Sequence, residues 1–516
     1  MKKYVVLLVA LLLSLISYSQ EIPVQITKSS VFKDEYKHSS IILAEDDGKG
    51  GVIIVRDYQG GTFSTGIGYY FEHYDSELNL IKEYEYELSR SKLLNQSSVL
   101  GLIMNEQTVH IIDFVYEKDK KAYICSAVSS DIDNFDFTKK ELFRLDSDEI
   151  KKFAFFNNSE FDGDSGASMI INEDKSAFVI TVDIKDKNTE THKVFLFDIF
   201  LNKHIDHTFK RDIKDKKFRY ENIDVSKDGK TLFLLGKAYT TESKKKKEGG
   251  KYQYELTRIT NDSEKTQVFD TGENFAASLK TVFLKDKLVC IGLYSEKKDS
   301  RYKGICYFEL EPASLDIKMQ KFNPFTEQFM IDKYGKKKDK ELKFLSFRDI
   351  IITENNDLIF NAEEFYIRTY THSTPTGGFY TTTSYHYDDI VTAKINSSGE
   401  IEWARNINKR QSTGGDESYI SYTSASKGNE AYFFINTGDK IKKLSNNRIQ
   451  FGQTRVSKSN LNIIRVNQNG DFDFQEILND KDNEVPFMVA NGIYSGNSVF
   501  FLGRKGKKKQ LLKITL

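Results

Sequence analysis

The dominant pattern along the chain is a repeated phrase: a short apolar run, a polar turn built on Asp, Asn or Gly, then a longer apolar run. It occurs at residues 168–180, 222–235, 349–360, 422–435 and 489–502. Each copy reads as two antiparallel strands around a tight turn. A second phrase follows the first, with apolar and polar residues alternating on both sides of a turn. It is cleanest at 392–403 and 463–474, and more hydrophobic at 194–205. Alternation with a period of two marks a strand with one face covered. The two phrases together make a four-stranded unit.

These units start near residues 38, 98, 167, 221, 277, 346, 418 and 485. Such an array predicts an all-β fold, a β-propeller of four-stranded blades, eight in number with seven as the alternative. Two unrelated β-sandwich domains are the competing architecture. The last unit has three clear strands, at 485–492, 497–503 and 510–515. The segment from Ile22 to Thr27 is expected to supply the missing outer strand and close the ring, which removes exposed edges.

The stretch from Val225 to Leu235 carries Ser226, Asp228, Gly229 and Lys230 ahead of Leu232. It resembles the Ser-Pro-Asp-Gly-Lys-x-Leu-x-Phe repeat of TolB-type, WD-like propellers, with Lys227 where that repeat has Pro. The resemblance implies the fold, which occurs in periplasmic scaffold proteins and in the propellers of certain peptidases. It carries over no site residue.

Composition agrees with strands. The 516 residues include 38 Phe and 28 Tyr but only 5 Pro, and aromatic residues favour sheets. Lys plus Arg and Asp plus Glu each total 75, for a net charge of zero. That argues against a nucleic-acid partner, which needs a basic excess to neutralise phosphates. Residues 1–19 read as a signal peptide, with Lys2 and Lys3 before an apolar core from Tyr4 to Leu13 and small residues at Ser17 and Ser19. Cleavage is expected before Gln20, which leaves 20–516 as one propeller domain. No cysteine lies near that point, so a lipoprotein anchor is not expected, and no later apolar run is long enough for a transmembrane segment. The expected location is the periplasm, the medium or the surface of a Gram-negative cell. Cys290 and Cys306 are expected to face each other across a hairpin centred near Lys298, as a disulfide or as two free core thiols; the third cysteine is Cys125.

Loop lengths are uneven. Turns on one face of the predicted propeller are short, apart from 129–138. The other face receives the long segments 146–166, 241–250, 324–344, 368–385 and 438–459. Long loops gathered on one face point to function. Residues 366–387 stand out, with Tyr, Thr and His arms around Pro375 and Gly378. They predict a long hairpin off the blade, with Tyr366, Tyr370, Phe379, Tyr380, Tyr385 and Tyr387 as candidate binding residues for a sugar ring or peptide. The competing reading is a hairpin whose tyrosines only stack on each other. Basic runs at Lys244 to Lys247, Lys336 to Lys340 and Arg504 to Lys509 map to the same face. They read either as an anion-attracting patch or as solvated turns.

Catalytic signals are weak. The segment from Gly163 to Gly166 matches four residues of the chymotrypsin-like signature, and nothing else of it follows. Asp162 and Asp164 lack the spaced series of a calcium loop. His204 and His207, three apart on a strand, point to opposite faces. No catalytic residue, metal or cofactor is expected. The expected function is that of an exported, non-catalytic propeller presenting its loop-rich face to a protein or glycan. The alternative is a propeller hydrolase or lyase acting on polysaccharide. Oligomeric state is left open.

Overall fold

The computed structural model describes residues 21–516 except 61–65, 89–97, 151–165, 173, 186–188, 214–216, 240–251, 273, 285–286, 297–300, 374–377 and 453–454. The expected signal peptide, the run from Lys244 to Lys247, and Asp162 and Asp164 therefore lie outside the described residues.

The protein is an all-β propeller. Among the described residues its strands fall into eight sheets, each built on four antiparallel strands. The first contains His38–Asp46, Val52–Gln59, Ile67–Tyr74 and Leu80–Glu87. The middle strands of each sheet are buried almost throughout, as in Ala177–Asp183 and Lys287–Ser295, while outer strands such as Leu80–Glu87 and Glu264–Val268 face solvent. A hydrophobic cluster sits between every pair of consecutive sheets. One joins Ile53, Val55 and Phe71 of the first sheet to Val109 and Ile111 of the second. Another joins Ala44 and Ile54 of the first to Phe500 and Leu511 of the last. The series returns to its start, so the ring is closed.

Closure uses the N-terminal segment as the sequence predicts. Gln25–Lys28 pairs antiparallel with Lys508–Thr515, Gln25 opposite Thr515 and Lys28 opposite Leu512. Ile22 is buried with Phe434, Phe487 and Ile514, and its backbone N–H donates to Gln475 Oε1 at 2.8 Å, in the preceding sheet. Sequence boundaries fail mainly in the last unit. Its first strand is Ile493–Ser495, not 485–492. Val485, Phe487, Met488 and Val489 are buried connection residues, and their hydrophobicity mimics a strand.

Short turns on one face share a local rule. Asp75, Asp198, Asn396 and Asn467 each accept backbone N–H bonds from residues two and four positions on. The fourth residue of each turn has positive φ: Leu78, Leu201, Gly399 and Gly470. Gly470 must be glycine, because a Cβ would stand 2.6 Å from the Trp403 ring. A left-handed Leu costs roughly 1–2 kcal/mol. Leu78 and Leu201 bury their side chains in the adjoining clusters, a gain of about 2 kcal/mol that offsets the strain.

The cysteines are free and buried. Cys290 lies opposite Phe308, and Cys306 opposite Gly292. The strand register is thus shifted by two residues from the one expected, and the thiols are not directly opposed. No helix among the described residues is long and apolar enough to cross a membrane.

Deleting residues 20–28 would strip Ile22, Val24 and Ile26 from the last intersheet cluster. The expected loss is about 3 kcal/mol or more in urea unfolding, and an unchanged midpoint would refute closure by this strand. A second expectation concerns His110, buried with its Nδ1 2.7 Å from Ser129 Oγ. Burial, and secondarily Lys140, lowers its pKa from 6.5 to about 4. The folded chain therefore binds this proton more weakly than the unfolded chain. Stability is complete above pH 6.5 and falls toward pH 4, by about 3 kcal/mol at most. His110→Gln should flatten that part of the stability–pH curve.

Candidate functional site

The loop-rich face is built around a hairpin that outgrows its sheet. Strands Leu358–Ser373 and Phe379–Ile395 stay paired from Leu358–Ile395 out to Ser373–Phe379. The halves near Leu358 and Ile395 are blade core, and the halves toward Ser373 and Phe379 are exposed or half-buried. Alternating Thr, Tyr and polar residues favour strand even without a covering layer. The long hairpin expected at 366–387 is therefore formed, with both arms as regular strand, and its turn at 374–377 lies outside the described residues.

Register sorts the six candidate residues onto two faces. Tyr366, Arg368, Tyr370 and His372 share one face with Tyr380, Thr382, Ser384 and His386. Phe379, Tyr385 and Tyr387 lie on the other. On the first face Tyr366 stacks on His386, centroids 4.6 Å apart, and His372 stacks on Tyr380 at 4.8 Å. Arg368 lies over the Tyr366 ring at 5.0 Å. The Tyr366 hydroxyl donates to Asp388 Oδ2 at 2.8 Å. Burial, helped by Asp388, pushes its pKa up to about 12. Burial, with Arg368 adding to it, lowers the His386 pKa. Tyr387 and Tyr385 belong to the half-buried root, where Tyr387 packs on Phe365 and donates to Glu417. At the tip, Phe379 is 77% exposed and Tyr380 54%, with Ile367 at 54% and Tyr370 at 48%. Self-stacking thus accounts for Tyr366 and Tyr380, and it leaves Phe379 and Ile367 as bare apolar surface.

The root is held by buried charge. Glu363, inaccessible to solvent, receives Lys409 Nζ at 2.7 Å, Arg348 Nε at 2.9 Å and Ser421 Oγ at 2.7 Å. Burial lowers the Lys409 pKa, and Glu363 opposes that shift. Arg348 reaches Glu363 because its strand bulges: the register slips between Phe347 and Asp349, leaving 348 as the extra residue. Bulges re-aim side chains in this way. Beside this group Lys333 pairs with Glu364 and Asp389, each at 2.7 Å. Lys333 comes from the helix Glu327–Tyr334, capped by Thr326 and ended by Gly335. That helix occupies the expected loop 324–344. The strand Lys409–Thr413 then runs from the hairpin root to the short strand Ile449–Gly452.

A cavity of about 590 Å³ opens on the same face, lined in part by Asn436, Arg455, Asp480, Glu484, Phe487 and Arg504. Lys409 Nζ donates to Gln411 Oε1, and Gln411 Nε2 donates to the Asn436 carbonyl. Hydrogen bonds thus connect hairpin root and cavity wall. The basic runs are mostly spent internally. Arg504 bonds Asp416 and the Tyr419 hydroxyl, and buried Lys509 donates to the carbonyls of Lys37 and Gly506. Lys338 and Lys340 fold over the Tyr334 ring, and Lys337 pairs with Glu327. His204 and His207 pair with Asp198 and Glu264 respectively. Among the described residues one group could hold a metal: Asp183, Glu190 and His192, with donor atoms within 4.8 Å of one another.

No family model matches the chain, and no curated protein matches it. Solved structures do. The β-propeller domain of the Trilobed protease from Pyrococcus furiosus is 8% identical, over 87% of this chain and 98% of that one, with a TM-score of 0.37. Pyrococcus horikoshii acylaminoacyl peptidase is 10% identical over 81% of this chain, with a TM-score of 0.33. Prolyl oligopeptidase B from Galerina marginata is 8% identical over 90%, with a TM-score of 0.39. The match spans only about half of each of these two peptidases, 52% and 55%.

Replacing Glu363 alone by Leu would strand Lys409 and Arg348 in the interior, at a cost of about 3–5 kcal/mol. Glu363→Leu with Lys409→Met should cost less than Glu363→Leu alone in urea unfolding. A double variant worse than the single one would mean that the pair does not brace the root.

Proposed function

We propose that this protein is an exported, non-catalytic propeller that binds a protein or glycan partner on its loop-rich face, with the 366–387 hairpin as the contact element. The single observation behind this reading is the bare tip on a braced base. Ile367, Tyr370, Phe379 and Tyr380 are each about half exposed or more, while their root is fixed by the Glu363–Lys409 pair. Exposed aromatic and aliphatic groups gathered in one place mark interaction sites, and a pre-ordered element loses little entropy when it binds.

Export rests on the signal-like residues 1–19, and kinship with TolB-type repeats rests on residues 225–235. Both are part of this reading. The carboxylate at the hairpin root supports binding over hydrolysis, because Glu363 is locked by Lys409, Arg348 and Ser421.

The test is a hairpin variant, Tyr370→Ser, Phe379→Ser and Tyr380→Ser together. These side chains lie outside the blade core, so the melting temperature should stay within a degree or two of wild type. Binding to cell-envelope polysaccharide and to envelope protein from the host, measured separately, should weaken in one of the two by about 2 kcal/mol or more. Intact folding with undiminished binding in both would remove the hairpin from the site. Release of reducing sugar by the wild-type protein would favour the polysaccharide enzyme instead.

A further inference from the structure

Three buried side chains of metal-ligating type come together where the third sheet meets the fourth. Asp183 ends the strand Ala177–Asp183, and Glu190 and His192 open the strand Glu190–Asp198. Asp183 is the direct cross-strand partner of His192. Glu190 stands two residues before His192, so it shares that face. All three side chains are buried, at 2%, 4% and 5% exposure. His192 Nε2 contacts Glu190 Oε1 directly and lies 3.9 Å from Asp183 Oδ1. Tyr220, from the strand Phe218–Val225 of the fourth sheet, packs edge-on against the imidazole with centroids 4.1 Å apart. Its hydroxyl is enclosed, with no hydrogen-bond partner among the described residues.

We infer that Asp183, Glu190 and His192 form a binding site for a divalent transition cation, of the kind zinc fills, at the loop-rich end of this sheet interface. One imidazole nitrogen and two carboxylate oxygens are donors that suit zinc. Bonds of about 2 Å place the donors of a tetrahedral ion about 3.3 Å apart, and the three donors here all lie within 4.8 Å of one another. The Tyr220 ring packs against the imidazole from the fourth sheet, and a ligand or a water completes the shell. Nothing in this arrangement calls for catalysis. The ion would staple the end of one strand of the third sheet to the start of the next.

The probe is zinc alone, added to full-length mature protein after dialysis against EDTA. Titration calorimetry should show one equivalent bound, and the melting temperature should rise by several degrees as zinc saturates. His192→Gln and Asp183→Asn should each weaken binding roughly 100-fold or more, since even loss of a residue that merely orients a ligand costs 10–100-fold. Cobalt substituted for zinc should give the intense visible absorption of a four-coordinate ion. That measurement uses wild-type protein and stands even if a variant misfolds. Absence of zinc binding, undiminished affinity in both folded variants, or a cobalt spectrum like that of the aqueous ion would each overturn the assignment.

Discussion

Each sheet of this protein is apolar on both faces, and neither face can be left to water. In the sixth sheet, Phe360, Ala362 and Val391 face one neighbour while Ile359, Ile390 and Ile407 face the other. A sheet of this kind is stable only between two others, so a linear stack would always end in an exposed face. Closing the row into a ring resolves the problem. The rest of the structure follows from that closure. It explains why residues near position 25 must pair with residues near position 515. It also explains why the turns that carry Leu78 and Gly470 press into neighbouring sheets.

The ring also divides the molecule's surface by purpose. One face is trimmed to short turns governed by Asp and Asn side chains, which satisfy their own backbone and need no partner. The other face accumulates a helix, added strands, a cavity and the long hairpin. Here the packing is polar, and charges are buried deliberately. Glu363, Lys409, Lys333 and Asp389 are held away from solvent by direct ion pairs and by amide side chains such as Gln411 and Asn406. Such networks are expensive unless every member is bonded. Their return is directional: they fix the angle of the hairpin root, which an apolar contact would leave free to slide. A flexible arm would also present Phe379 and Tyr380, but at a greater entropic cost on binding.

The fold by itself says nothing about chemistry. Function therefore has to be argued from side chains that the fold does not require. Two sets stand out on this test. The bare hairpin tip contributes nothing to the ring, and the Asp183, Glu190 and His192 group places three polar side chains where the neighbouring positions are filled by Phe209, Phe218 and Ile223.

The sequence by itself determined the repeating strands, the closing role of residues 22–27 and the long hairpin. These are written in local terms: a period of two, Asx and Gly turns, and β-favouring Tyr and Thr. It also marked which face carries the long segments, because that depends only on strand order and loop length. The tertiary structure decided the rest. A single-residue bulge puts Arg348 beside Glu363, and a two-residue register shift takes Cys290 past Cys306. Neither has a local signature, because register is set by packing across the sheet. The two faces of the hairpin, which separate Tyr366, Tyr370 and Tyr380 from Phe379, Tyr385 and Tyr387, follow from that same register. The buried polar residues were invisible for a related reason. Nothing local to their strands marks Glu363 or His192 out, and only the arrival of Lys409 from 46 residues away, or of Asp183 across the sheet, gives them a role. Local pattern is a property of one strand, whereas a site is made by strands that meet.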